Sequence, residues 1–206
     1  KNVLLLELGV GEMTPSVIKL PFWELAARNE NVFYACLNRE VAHARNTCGG
    51  GACICKGTWR SSCQPSCGGV SLHKFNWKEC ASMADYNLIA EKFKEADAIL
   101  IAASNGLSIS EGLHLFADNA AFAKLFGDFK RKYGLRCILQ GMMAEWPSEE
   151  EKWAFWARLI HHYCGRYRPT PVMKDLKAIV GVKDYFIVTS NGEQHFELCG
   201  FEPRKI

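Results

Sequence analysis

The chain has 206 residues, of which 49% are hydrophobic, 23% charged and 12% aromatic, with a formal net charge of +3. That length can bury a sizeable core as one domain or two small ones, and the balance excludes disorder, a coiled coil and a collagen-like fibre. The charge is too small to argue for nucleic acid, no apolar run approaches the roughly 20 residues of a membrane span, and the composition predicts a soluble globular protein of the cytoplasm with no membrane partner.

Ten cysteines would suit a secreted scaffold, but five of them (Cys48, Cys53, Cys55, Cys63, Cys67) crowd into one Gly-rich stretch. A disulfide scaffold spreads its cysteines over a short chain with little other core. Cys36, Cys137 and Cys164 stand in apolar surroundings, where a free thiol packs as a small core residue. The pattern predicts a reduced protein with one unusual segment.

Val3-Leu4-Leu5-Leu6-Glu7-Leu8 runs into Gly9-Val10-Gly11 and reads as a strand buried on both faces, as in a parallel sheet. A helix is expected over about 16–27, although Pro21 argues against an unbroken one. Val32 to Leu37 is a second buried strand, which makes a β-α-β unit. From about 43 to 82 the chain turns irregular, with six glycines and five cysteines between Cys48 and Gly69, and is expected to be a linker. The Cys-x-Cys of 53 and 55 and the Cys-x-x-x-Cys of 63 and 67 are a poor match to paired Cys-x-x-Cys zinc ligands, so no metal site is predicted there.

Leu88 to Ala96 has amphipathic helical spacing, Ala98 to Ala103 is a third buried strand, and Ser148 with Glu151 reads as a capping box opening a helix. Met173 to Val180 is a short helix ended by Gly181, and Tyr185 to Ser190 is the fourth strand. Alternating strands and helices of these lengths predict an α/β fold: a Rossmann-like, mostly parallel sheet with helices on both faces, plus the irregular Cys/Gly-rich segment.

Ligands of open parallel sheets bind beyond the carboxyl ends of the strands. Three such ends carry small or polar residues: Gly9-Val10-Gly11, Ser104-Asn105-Gly106-Leu107-Ser108, and Ser190-Asn191-Gly192-Glu193. Glycines let a backbone approach a pyrophosphate, although ordinary βα turns use Gly and Asn too, and no G-x-G-x-x-G occurs.

The segment from Ala98 through Ser108 to Leu113 resembles the first glycine-rich NAD loop of the sirtuins (Sir2 family), above all the divergent bacterial, macrodomain-linked type. Pro147 to Trp153, Lys183 to Asn191 and Leu6 to Gly11 resemble the same family. The likeness covers about 1–40 and 83–206 in permuted order: 1–42 resembles the C-terminal part of a sirtuin Rossmann domain, 43–82 is the Cys/Gly-rich linker, and 83–206 resembles the N-terminal part. The family's zinc module, which belongs between those parts, has no counterpart in this order. A fragment of two tandem units and a circular permutant would both read this way.

By resemblance, Ser104, Asn105, Gly106, Leu107 and Ser108 hold the phosphates of NAD. Phe116 lies near the nicotinamide, with His114, Leu115 and Ala117 replacing the family's Pro, Asp and Arg. Asn191 and Glu193 bind nicotinamide and ribose and serve the chemistry, Gly9 and Gly11 form the late phosphate loop, and Asn38 contacts the adenosine ribose. The implied activity is NAD-dependent protein deacylation or protein ADP-ribosylation, through cleavage of the nicotinamide–ribose bond. Its partner would be a protein substrate. The alternative is a non-catalytic NAD or ADP-ribose binding module. The family's general-base His has no counterpart. His195 aligns with an apolar position, and His161 and His162 are expected to be packed or solvated.

Overall fold

A computed structural model describes residues 1–11, 16–38, 51–56 and 86–206, without the side chains of Ala27, Asn38, Gly51–Lys56 and Tyr86. The elements run β1 (Val3–Leu8), α1 (Lys19–Arg28), β2 (Val32–Asn38), β3 (Gly51–Lys56), α2 (Tyr86–Glu95), β4 (Ala98–Ala103), α3 (Asn105–Ser110), α4 (Ala120–Tyr133), α5 (Ile138–Met142), α6 (Glu149–Ile160), α7 (Pro171–Val180), β5 (Asp184–Thr189) and α8 (His195–Leu198). The chain is an α/β protein.

The five strands lie in the order β3-β2-β1-β4-β5. β2, β1, β4 and β5 are parallel and flush: Val3 pairs with Val32 and Ala98, and Ala98 with Asp184. The predicted strands and the mostly parallel sheet are therefore present. One expectation needs correcting. Gly51–Lys56, inside the stretch read as irregular, is a strand antiparallel to β2. Its one glycine and two cysteines give little strand signal, and pairing with a neighbouring strand overrides such weak local preference. The rest of the segment, including Cys48, Cys63 and Cys67, lies outside the described residues.

The chain divides into two compact units. Unit 1 comprises residues 1–107, 178–190 and 205–206, and contains the sheet. β1 is buried on both faces, which is why it reads as a continuous apolar run. On one face, Leu5, Tyr34, Cys36 and Ala102 pack with Ile18, Phe22 and Ala26 from α1 and its entry. On the other, Lys92 of α2 lies over the Phe33 ring, 4.7 Å from its centroid. Pro21 interrupts nothing, because α1 begins at Lys19 rather than Ser16. The proline falls in the first turn, whose N–H groups have no helical acceptor.

Unit 2 comprises 108–177 and 191–204, around an aromatic core of Phe122, Phe126, Phe129 and Phe155. Phe126 and Phe155 have ring centroids 4.7 Å apart. A Cβ on Gly141 would fall 2.2 Å from Phe155, so α5 needs glycine there. α4 starts at Asn119, whose side chain accepts from Phe122 N, and ends at Gly134 with φ of 69°. α6 is capped by Ser148, which accepts from Glu151 N, as the capping box predicts. Among the described residues no helix is long and apolar enough to cross a membrane.

Candidate functional site

Strand order places a crevice in unit 1. From β1 the chain moves outward to β2, while from β4 it leads to β5 on the opposite side. The winding therefore reverses between β1 and β4, and the carboxyl ends at such a reversal are where open α/β sheets bind ligands.

Two glycines cross at that point. Gly9 has φ of 59°, and a Cβ built on it would lie 2.5 Å from the Gly106 Cα. The reverse also holds: a Cβ on Gly106 would meet the Gly9 Cα at 2.5 Å. Gly106 N donates to the Gly9 carbonyl (2.9 Å), and Gly9 N donates to the Leu37 carbonyl (2.9 Å). Both glycines are thus required by close backbone approach. Beside the crossing, the Ser104 and Ser190 hydroxyls are 3.1 Å apart, joining the ends of β4 and β5. Asn105 Oδ1 is buried and has no hydrogen-bond partner among the described residues. Such an orphaned acceptor calls for a donor from elsewhere. Among the described residues nothing lies within 4 Å of a Cβ built on Gly11.

Beneath the same turn lies a group that the sequence reading missed. Glu7 is fully buried on β1 between Cys36 of β2 and Ala102 of β4. Its Oε1 is ion-paired with Lys19 at the start of α1 and accepts from the Cys36 thiol (3.2 Å). Its Oε2 accepts from the Tyr34 hydroxyl (2.5 Å). Burial, with the Glu7 charge added, pushes the Cys36 thiol up to about 12. Burial likewise raises the Tyr34 phenol, aided by the Cys36 and Glu7 charges. The signal was present as a carboxylate inside an apolar strand. Cys36 is accordingly not in purely apolar surroundings.

Unit 2 holds the other sequence candidates. Ser108, 2% exposed, donates to Glu193 Oε1 at 2.6 Å. Cys164 donates to the Glu193 carbonyl (3.4 Å), which fixes the turn after Asn191. His195 is buried, as its alignment with an apolar position implied. Its Nε2 lies 2.9 Å from the Tyr163 carbonyl, so that nitrogen carries the proton, and its Nδ1 sits 3.7 Å from Glu193 Oε1. The ring stacks on Tyr167 (3.9 Å between centroids), whose hydroxyl donates to Glu111 Oε2 (2.6 Å). Burial raises the Cys164 and Cys199 thiols, so neither is an activated thiolate. Phe116 is exposed at 47%, flanked by the half-buried Leu115 and Ala117. His161 and His162 are exposed in a π-helical turn after α6. Among the described residues no cluster of His, Cys, Asp or Glu is arranged to hold a metal.

The structure thus joins Gly9 with Gly106 and Ser104 with Ser190 in unit 1, and Ser108 with Glu193 in unit 2. The Asn38 side chain lies outside the described residues.

No family model matches the sequence. Over 111 residues it is 33% identical to a protein ADP-ribosyltransferase of Staphylococcus aureus. The chain is similar to an ADP-ribosyltransferase. The match covers 52% of this chain and 34% of the relative, so the chain spans about a third of the length of the curated protein it matches.

Proposed function

We propose that the chain binds NAD at the carboxyl ends of β1 and β4 and serves protein ADP-ribosylation. The observation that carries this is the crossing of Gly9 and Gly106 at the reversal of strand order, with the orphaned Asn105 acceptor beside it. Both features fit a dinucleotide: side-chain-free backbone admits a pyrophosphate, and a buried amide oxygen suits a ribose hydroxyl or a carboxamide N–H. NAD supplies the ADP-ribosyl group, with nicotinamide leaving from the ribose carbon. The name of the Staphylococcus aureus relative supports transfer to protein rather than deacylation. The resemblance points the same way, since Leu115 and Ala117 stand where sirtuins carry Asp and Arg.

In this reading Gly9, Gly11, Ser104, Gly106 and Leu107 shape the phosphate side. Asn105 accepts from the nucleotide, and Asn38 serves the adenosine ribose by resemblance. Asn191 and Glu193 take the nicotinamide ribose, where a carboxylate accepts from hydroxyls, and Ser108 orients Glu193 through its hydrogen bond. Phe116 serves the nicotinamide side by resemblance.

Incubation with NAD labelled in the adenosine half and candidate protein acceptors tests the reading. Label on protein with matching nicotinamide release is expected. Saturable binding without nicotinamide release would make the chain a binding module, and no binding would remove NAD altogether. Asn191→Asp keeps a residue tolerant of turns but adds a negative charge beside the proposed ribose. It is expected to weaken NAD binding at least tenfold, about 1.4 kcal/mol, with the melting temperature nearly unchanged. Unchanged binding would return Asn191 to a turn-forming role.

A further inference from the structure

We infer that the buried Glu7–Lys19 pair is a positioning clamp for the Gly9–Gly11 turn, and that it sets affinity for the pyrophosphate of NAD. The inference rests on the NAD reading above. Glu7 is the penultimate residue of β1 and Lys19 the first of α1, so the pair ties together both ends of the connection 9–18. Glu7 also binds β2 through Tyr34 and Cys36. One carboxylate therefore holds α1 and β2 to β1 beneath the turn. Val10 and Ile18, close to the two ends of the connection, are buried in the same core as Phe22 and Tyr34. Gly9 is meanwhile fixed by its N–H on Leu37 and its carbonyl on Gly106.

Stability alone does not account for an ion pair at this place. An apolar pair of similar volume in a core is often as stable or more so, because both charges lose their water. What the ion pair adds is direction: Lys19 satisfies a carboxylate whose other oxygen is already fixed by Tyr34. The start of α1 then has one allowed position relative to β1. A binding turn needs such support, because a loop loosened by a fraction of an ångström no longer fits its ligand. Glu7 and Lys19 act through Gly9–Gly11 and need not touch NAD themselves.

The test is Glu7→Gln/Lys19→Met, which removes both charges and leaves no lone buried ion. Kd for NAD, ADP-ribose and adenosine is measured well below the melting temperature, beside the parent and Lys19→Arg. NAD and ADP-ribose are expected to bind at least tenfold more weakly to the double variant, with adenosine changed less than threefold and Lys19→Arg close to the parent. A folded double variant that binds NAD within threefold of the parent overturns the clamp, as does an equal loss for all three ligands. A parent that binds no NAD overturns the underlying reading, and the clamp with it. Should the double variant fail to fold, Tyr34→Phe removes one hydrogen bond from Glu7 and keeps the ion pair. It should weaken NAD about threefold with the folded signal intact, and unchanged affinity there overturns the clamp as well.

Discussion

Cys36 shows how one buried carboxylate changes its neighbours. Its thiol is pushed up to about 12, first by burial and then by the Glu7 charge, against 9.0 for a free thiol. The folded protein therefore holds this proton more tightly than the unfolded chain does. The stabilisation is fully present below pH 9 and is lost as pH rises toward 12. Tyr34, raised for the same reasons, acts in the same direction above pH 10. Urea titrations from pH 8 to 10.5 are expected to show stability falling above pH 9 by about 1 kcal/mol per pH unit. Cys36→Ala should flatten that decline, and an equal slope in the variant would mean that the thiol is not the titrating group. Glu7 was legible in the sequence as a charge inside Val3–Leu8. Its partners were not, because Lys19, Tyr34 and Cys36 lie 12, 27 and 29 residues away and only the register of β1 with β2 brings the last two beside it.

At the scale of elements, glycines separate into those that a contact requires and those that are incidental. Gly106→Ala would place a Cβ 2.5 Å from the Gly9 backbone, with no flexible side chain to move aside. It is expected to destabilise by about 1–3 kcal/mol, the range of overpacked cores. Gly127 follows a kink in α4 at Phe126 (φ −123°, ψ 23°), and among the described residues a Cβ on it would meet only the Arg131 side chain, at 3.6 Å. Gly127→Ala should therefore stabilise by about 0.5–1 kcal/mol through helix propensity. Thermal melts of the two variants decide both, and a stabilised Gly106→Ala would remove the crossing. Sequence alone could not tell these positions apart, since each is a glycine near a helix. β1 and β4 were legible because burial writes continuous apolar runs, and the start of α6 because Ser148 and Glu151 carry its cap. β3 was not, because two of its six residues are glycine or alanine and pairing with β2 defines it.

At the scale of the whole molecule, the sheet is assembled from both ends of the sequence. β1, β2 and β3 come from residues 3–56, β4 and β5 from 98–189, and the central seam is the parallel pairing of β1 with β4. Co-expressed pieces 1–56 and 86–206 are expected to purify together, because the seam-facing edges of the apolar strands β1 and β4 pair with each other along their whole length. Separate elution on a sizing column would mean that the covalent connection between them is essential. Strand neighbours need not be chain neighbours, so one sheet can draw its strands from both ends of the sequence.

The two units are interleaved along the chain, which changes unit at 107/108, 177/178, 190/191 and 204/205. A single contiguous stretch of gene therefore encodes neither unit. Recombination could not have delivered or removed unit 2 in one step, because 108–177 and 191–204 would have to travel together. Exchange of this region between relatives should leave breakpoints in pairs.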